Sequence, residues 1–296
     1  MRWTPGWKDE DVEDRRGSGG GGGFSGMGLG GGGMRMGLGG MLVLLVLSFI
    51  FKVDFLSMFM GGGGGGTYAP TETSRPAGDV AEQTESAQFA MTLMTNINNT
   101  WEQIMAESGN QYRRTQIVLF RDTDRSACGL AQAATGPFYC PGDRKVYIDL
   151  GFFDELSQRF RAPGDFAKAY VLAHEVGHHI QTISGIETKV RQLQSRNPGQ
   201  RNALSVRMEL QADCLAGVWG ARTKGGKVEI EPNDLEEGMR AAAAIGDDRI
   251  QRMSGRAASP DSFTHGSSAQ RVEWLKRGFQ EGKVSACNTF ESGVVN

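Results

Sequence analysis

The chain reads as an α+β protein, mostly helical with one small sheet, behind a glycine-rich front end that carries a single apolar segment. Three observations lead there. Stretches of helical periodicity recur between residues 80 and 278. Only two short runs, 115–120 and 145–150, have the apolar, β-branched character of buried strands. The 43 glycines crowd toward the start, in residues 17–40 and again in the run 61–66, and such tracts cannot bury a core.

Taken in order, the front end comes first. Between the glycine tracts lies Met41-Leu42-Val43-Leu44-Leu45-Val46-Leu47-Ser48-Phe49-Ile50-Phe51. Counted back to Met36 the uncharged stretch is 16 residues, somewhat short of the roughly 20 that span a bilayer as a helix. Snorkelling by Arg35 and Lys52 makes up the difference, while Asp54 argues against extending the span to Met60. A cleaved signal peptide fits poorly, because the segment starts late and no small-x-small site follows. A buried core helix fits poorly between two glycine linkers. The expected organisation is a disordered glycine-rich tail over 1–35, one transmembrane helix as an anchor within 36–60, a flexible linker over 61–77 and a folded domain over 78–296.

The folded domain opens with a long amphipathic helix over about 80–106, where Phe89, Met91, Leu93, Met94, Ile97, Trp101, Ile104 and Met105 form an apolar side. Residues 115–120 form a first strand and 145–150 a second, with Gly142-Asp143 as the turn before it; 136–140 are extended. Residues 152–160 are helical. Pro163-Gly164-Asp165 then supplies a breaker and an Asp N-cap, and Ile183-Ser184-Gly185 a glycine stop. Between them Phe166, Tyr170, Leu172, Val176 and Ile180 make an apolar stripe. A further helix runs over about 204–219, and 235–244 and 269–278 are the clearest segments beyond it.

Three of the four histidines fall inside the helix that Gly185 ends, in His174-Glu175-Val176-Gly177-His178-His179. Positions four apart share a helix face. His174 and His178 can therefore bind one metal ion, with the Glu175 carboxylate beside the remaining coordination position. This is the H-E-x-x-H zinc-hydrolase arrangement of two ligands and a general base. His179 lies about 100° around the helix from His178 and cannot reach the same ion, so it reads as structural. Gly177 costs about 1 kcal/mol inside a helix, which points to the close approach of another backbone or of a substrate.

A catalytic zinc site takes three protein ligands and keeps one position open. The third is expected from Glu209-Leu210-Gln211-Ala212-Asp213-Cys214, where Glu209 and Asp213 share one face of the 204–219 helix. One carboxylate can bind the ion while the other accepts the free ring N–H of a ligand histidine. Glu209 is assigned as the ligand and Asp213 as the acceptor; the exchanged assignment satisfies the same spacing, and Cys214 is a weaker rival. His265, in Phe263-Thr264-His265-Gly266, is the one histidine left. It is placed in the active site as a donor to the developing oxyanion, with Arg271 a second candidate.

These motifs resemble the neutral zinc metallopeptidase family of bacteria, membrane-associated proteins with an H-E-V-G-H-H core. The likeness is nearly full length. It includes Met1-Arg2-Trp3, Val12-Glu13-Asp14-Arg15-Arg16-Gly17, Gly136-Pro137-Phe138-Tyr139-Cys140-Pro141, Lys145-Val146-Tyr147-Ile148-Asp149-Leu150, Glu209-Leu210-Gln211-Ala212-Asp213-Cys214 and Thr264-His265-Gly266. The resemblance implies a zincin-like metallopeptidase domain over 78–296, with His174, His178 and Glu209 holding one Zn2+ and Glu175 as catalytic base. It implies a small sheet whose edge strand lies along the cleft, for which 145–150 is the candidate, and a peptide or protein as substrate.

The expected function is a membrane-anchored zinc metallopeptidase that hydrolyses peptide bonds with a zinc-activated water. The alternative is a non-catalytic, membrane-tethered zinc-binding scaffold or interaction protein. Structural zinc sites favour four closed ligands and cysteine, which sets the enzyme ahead. A net charge of −2 and the lack of a basic patch with interleaved aromatics give no sign of nucleic-acid binding. Arg15, Arg16 and Arg35 outweigh Lys52 and Arg75, a vote for a cytoplasmic N-terminus. The four cysteines, Cys128, Cys140, Cys214 and Cys287, all follow the anchor. Cys128 with Cys140 could close a short loop and Cys214 with Cys287 would tie the second-ligand helix to the C-terminal tail, but four cysteines allow three pairings and the sequence does not choose between them. The expectation is a single-pass protein of the bacterial inner membrane with a periplasmic domain.

Overall fold

The computed structural model describes residues 1–17, 80–133 and 136–290. Eight α-helices lie among them: α1 (Val80–Glu107), α2 (Gly151–Gln158), α3 (Asp165–Ile183), α4 (Ile186–Arg196), α5 (Arg201–Arg222), α6 (Asp234–Ala244), α7 (Asp247–Met253) and α8 (Ser268–Glu281). The strands are β1 (Arg2–Trp3), β2 (Val12–Asp14), β3 (Gln116–Phe120), β4 (Thr123–Ser126), β5 (Gly129–Gln132), β6 (Phe138–Cys140), β7 (Lys145–Asp149) and β8 (Val228–Glu229). The main sheet has the order β2-β3-β7-β6, parallel except for β6; β1 pairs with β8 and β4 with β5. The mostly helical α+β reading holds.

The apolar side chains of β3 and β7 point to both sides of the sheet because both of its faces are covered. Ile117, Leu119, Val146 and Ile148 point into the main core beside Phe89, Leu93 and Trp101 of α1 and Tyr170 and Val176 of α3. Val118, Phe120 and Tyr147 alternate to the other face, where Ala131 and Cys140 meet them. Burying each large apolar side chain contributes roughly 1.5–3 kcal/mol. The sheet and α1 thus form a fixed bed for α3.

The 145–150 segment is not the edge strand. β7 lies between β3 and β6, and β6 forms the edge nearest α3. Parallel pairing with β3 on one side and a short hairpin to β6 on the other place β7 inside. Nor does Asp165 cap α3: Gly164 holds that position at φ 121°, and Asp165 is the first helical residue. The Phe166 N–H is instead satisfied by Glu237 Oε2 of α6, at 3.2 Å. Gly185, at φ 74°, does follow the helix end.

The opening residues are not a disordered tail. Met1–Gly17 belong to the same compact unit as the domain. Gly6 N–H donates to Thr92 Oγ1 (3.1 Å) and Lys8 N–H to Thr95 Oγ1 (3.0 Å), so the chain crosses α1 before β2 aligns beside β3. Asp11, fully buried, accepts from Thr95, Asn98 and Arg114 at 2.7–2.8 Å. The ordering comes from partners some 80–100 residues away, which composition does not reveal. The rest of the expected tail, the anchor within 36–60 and the linker over 61–77 lie outside the described residues. Among the described residues no helix is long and apolar enough to cross a membrane.

The β2–β3 ladder holds residues 12–14 in register beside residues 117–119. Both sequence-adjacent cysteine pairs form: Cys128–Cys140 ties the β4–β5 turn to β6, and Cys214–Cys287 ties α5 to the short 3-10 turn Val284–Cys287.

Candidate metal centre

Helix α3 carries His174, Glu175 and His178, and α5 crosses it at Gly177. A Cβ on Gly177 would stand 3.0 Å from the Ala212 backbone. The glycine therefore permits the close crossing, and the approaching group is another helix. One turn before Ala212, Glu209 then lies over the two histidines. His174 Nε2 is 3.1 Å from Glu209 Oε2 and His178 Nε2 is 3.5 Å from Glu209 Oε1. One ligand atom from each of the three residues falls within 4.8 Å of the others.

The opposite ring nitrogens are already committed. His174 Nδ1 is 2.8 Å from Asp213 Oδ1, and His178 Nδ1 is 2.9 Å from Gln181 Oε1. Each partner atom is an acceptor, so each Nδ1 carries the proton and each Nε2 keeps its lone pair. Two lone pairs facing one carboxylate repel unless a cation stands between them. The donor set, two imidazoles and a carboxylate on a common point, fits Zn2+. Without a metal, protons take that place. Burial works against a charged His174, yet the Asp213 carboxylate and the hydrogen bonds to Asp213 and Glu209 raise its pKa to about 9. Burial likewise opposes charge on His178, and Glu209 more than offsets it. Glu209, despite burial, is held well below the ordinary carboxylate range by the charges of His178 and His265 and its hydrogen bonds to both helix histidines.

Asp213 is fully buried and heavily satisfied. It accepts from Tyr170 Oη at 2.5 Å and from Arg271 Nε and Nη2, both at 2.9 Å. Arg271, only 3 % exposed, donates to Asp213 and Tyr170. A buried carboxylate needs a countercharge, and Arg271 supplies it to Asp213.

Glu175 stands apart from the three converging groups. Its Oε2 accepts the Tyr139 N–H of the edge strand β6 at 2.8 Å. Desolvation raises its pKa above the usual carboxylate value. His265 lies on the loop before α8, with about half its side chain exposed. Asp247, the first residue of α7, pins that loop: its Oδ2 accepts the backbone N–H groups of Thr264, His265 and Gly266 at 2.7, 2.7 and 3.1 Å, and its Oδ1 lies 3.2 Å from His265 Nδ1.

A family profile described as "Putative neutral zinc metallopeptidase" matches residues 1–290. The chain belongs to this family. It is 44 % identical over 296 residues to the uncharacterized protein YpfJ of Escherichia coli K12, covering 99 % of this chain and all of that one. It is also 40 % identical over 191 residues to the uncharacterized protein Rv2575 of Mycobacterium tuberculosis H37Rv, 61 % of this chain and 64 % of that protein. No solved structure matches the chain.

In this member of the metallopeptidase family, His174, His178 and Glu209 come together, Asp213 backs His174, and the charges of His265 and Glu209 interact. His179 turns away: fully buried, it lies with Nε2 2.6 Å from the Arg113 carbonyl and Nδ1 3.1 Å from Tyr139 Oη. Sequence reasoning missed Tyr170, Gln181, Asp247 and the Tyr139 N–H. Tyr170 and Gln181 were legible, four residues before His174 and three after His178 on the same helix face. Asp247 and Tyr139 reach the site only through the tertiary fold.

Proposed function

We propose that this chain is a zinc-dependent peptidase, with His174, His178 and Glu209 as the metal ligands. The observation that carries the reading is Glu175: a desolvated carboxylate beside a three-donor cation site, held off the ligand set by a backbone N–H. Zinc in that site supplies a Lewis acid for the scissile carbonyl and lowers the pKa of water toward about 7. Glu175, with its raised pKa, takes the proton from the attacking water and passes it to the leaving amine. Asp213 fixes the orientation of His174, and Arg271 keeps Asp213 ionised. His265, steadied by Asp247, donates to the oxyanion. An extended peptide would lie along β6, whose Tyr139 borders Glu175.

The test compares full-length protein with its Glu175→Gln variant for zinc content and cleavage of a mixed peptide library. Full length matters because residues 2–14 supply two strands of the fold. One zinc in each, with cleavage by the unmutated protein alone, is the expected outcome. Equal zinc and no cleavage in either would sink the peptidase reading in favour of a binding role.

We propose further that residues 1–17 and the metal domain share one oxidising, extracytoplasmic compartment. The β2–β3 ladder supports their common side and the two disulfides support the oxidising one. Any attachment through residues 36–60 then leaves both flanks on the same face of the membrane. Thiol labelling of single cysteines at Gly17 and Ser108 in intact cells should give the same accessibility; opposite accessibility would refute the arrangement.

A further inference from the structure

Beyond the ligands, a directed chain of buried amides runs from His178 to the C-terminal segment. Gln181, fully buried, sends both protons of its Nε2 to acceptors: the Met208 carbonyl at 2.7 Å and Gln211 Oε1 at 3.0 Å. Gln211 Nε2 in turn donates to the Cys287 carbonyl at 3.0 Å. An isolated glutamine can turn its amide over, exchanging donor for acceptor. Neither of these can. A turned Gln181 would set its oxygen against the Met208 carbonyl, and a turned Gln211 would do the same against Cys287. Backbone carbonyls accept and never donate, so they polarise the chain at two points.

The consequence lands on the metal site. With both Gln181 protons spent, only Oε1 is left to face His178 Nδ1, at 2.9 Å. Nδ1 must then carry the ring proton, and Nε2 keeps the lone pair it turns toward Glu209. We infer that Gln181 and Gln211 are positioning residues that fix the tautomer and orientation of His178, anchored at their far end by the Cys287 carbonyl. His174 obtains the same service from a charged group, Asp213. His178 obtains it from a neutral relay, which adds no further negative charge to a buried site that already holds Glu209, Asp213 and Glu175. The Cys214–Cys287 disulfide gives the relay its fixed end, since Cys287 is held to the helix that carries Gln211. The inference rests on the zinc-site reading above and adds a role for two residues that touch no substrate.

Zinc affinity, measured on full-length protein by competition with a coloured chelator, tests it. Gln181→Leu should lose about 10–100-fold in affinity, the range typical of partners behind metal ligands. Gln211→Met should lose at least about fivefold although it contacts no ligand, because one Gln181 proton is then left without its acceptor and the Met208 carbonyl alone holds the amide. A long-range 1H–15N spectrum of the zinc-loaded protein supplies a readout that loosened packing alone does not move. Wild type should show a protected His178 Nδ1–H; Gln181→Leu should lose its protection and Gln211→Met should weaken it. Lower thermal stability in the variants, with zinc affinity and the Nδ1–H signal unchanged, would overturn the relay. Failure of the wild-type protein itself to bind zinc would instead overturn the metal site.

Discussion

His179 offers a direct measure of how strongly the metal helix is wedged against the sheet. Its imidazole is fully buried between α3, β6 and the segment before β3. Desolvation lowers its pKa from 6.5 to about 4, only partly opposed by the hydrogen bond to the Arg113 carbonyl. In the unfolded chain the ring takes a proton near 6.5; in the folded protein it resists until about 4. Its contribution to stability is therefore complete above 6.5 and is lost as pH falls toward 4. At about 1.4 kcal/mol per pKa unit, the loss by pH 4.5 comes to about 2.5 kcal/mol. His179→Gln isolates this effect, since the amide can still donate to Arg113 and accept from Tyr139 yet does not titrate. Urea unfolding of metal-free protein, from pH 8 to pH 4.5, is the assay. The variant should be about 1 kcal/mol less stable at pH 8 and more stable than wild type at pH 4.5. Parallel stability curves across that range would refute a neutral, desolvated His179.

Arg271→Gln should destabilise the fold by about 3–5 kcal/mol, because Asp213 becomes a buried charge without its partner. Zinc affinity should fall with it in chelator competition, a pattern that a lost oxyanion donor would not produce. For Gly177→Ala the added methyl meets the Ala212 backbone at 3.0 Å; a loss of about 1–3 kcal/mol in thermal unfolding is expected, together with weaker zinc binding as α5 is displaced. Asp247→Asn should leave zinc content unchanged while kcat falls about 10–100-fold, because the loop carrying His265 loses its carboxylate anchor; unchanged kcat would remove His265 from the mechanism. Opening the Cys214–Cys287 bridge, which spans a sequence separation of 73, should lower stability by up to about 4 kcal/mol in the chain-entropy view, checked with a Cys214→Ser/Cys287→Ser double variant.

The helices were legible wherever a segment buries a broad apolar stripe. α1, α3, α5, α6 and α8 fall within a few residues of their expected bounds. α4, whose sequence Ile186-Glu187-Thr188-Lys189-Val190-Arg191 is mostly polar, was not, because only Val190 is buried along it. β2 was invisible for a different reason. Three residues with two acids have no strand signature of their own, and their order depends on β3 and on the buried Asp11 cluster. The candidate ligands were legible because helix geometry alone puts residues four apart on one face. The pairing of Arg271 with Asp213 was not legible: from sequence, a cation near a histidine loop suggests an oxyanion donor, and only the fold brings its guanidinium to Asp213. Asp247 carries no local signal at all.

The charge inventory of the centre bears on what kind of site this is. Arg271 cancels Asp213, which leaves Glu209 and Glu175 as the carboxylates that face the His174–His178 pair. With both imidazoles neutral, a divalent cation on His174, His178 and Glu209 carries one net positive charge, and Glu175 beside it carries one negative. The buried centre is then neutral, as the high cost of desolvating unbalanced charge demands. A zinc ion serving only to hold the fold would reach that balance by drawing Glu175 in as a fourth ligand. Here the Tyr139 N–H holds the Glu175 carboxylate against β6. Glu175 would thus supply the compensating charge beside a cation on His174, His178 and Glu209 without binding it, as the proposed role of general base requires. A fixed edge strand, built into the sheet through β7 and tied by Cys128–Cys140, maintains that separation.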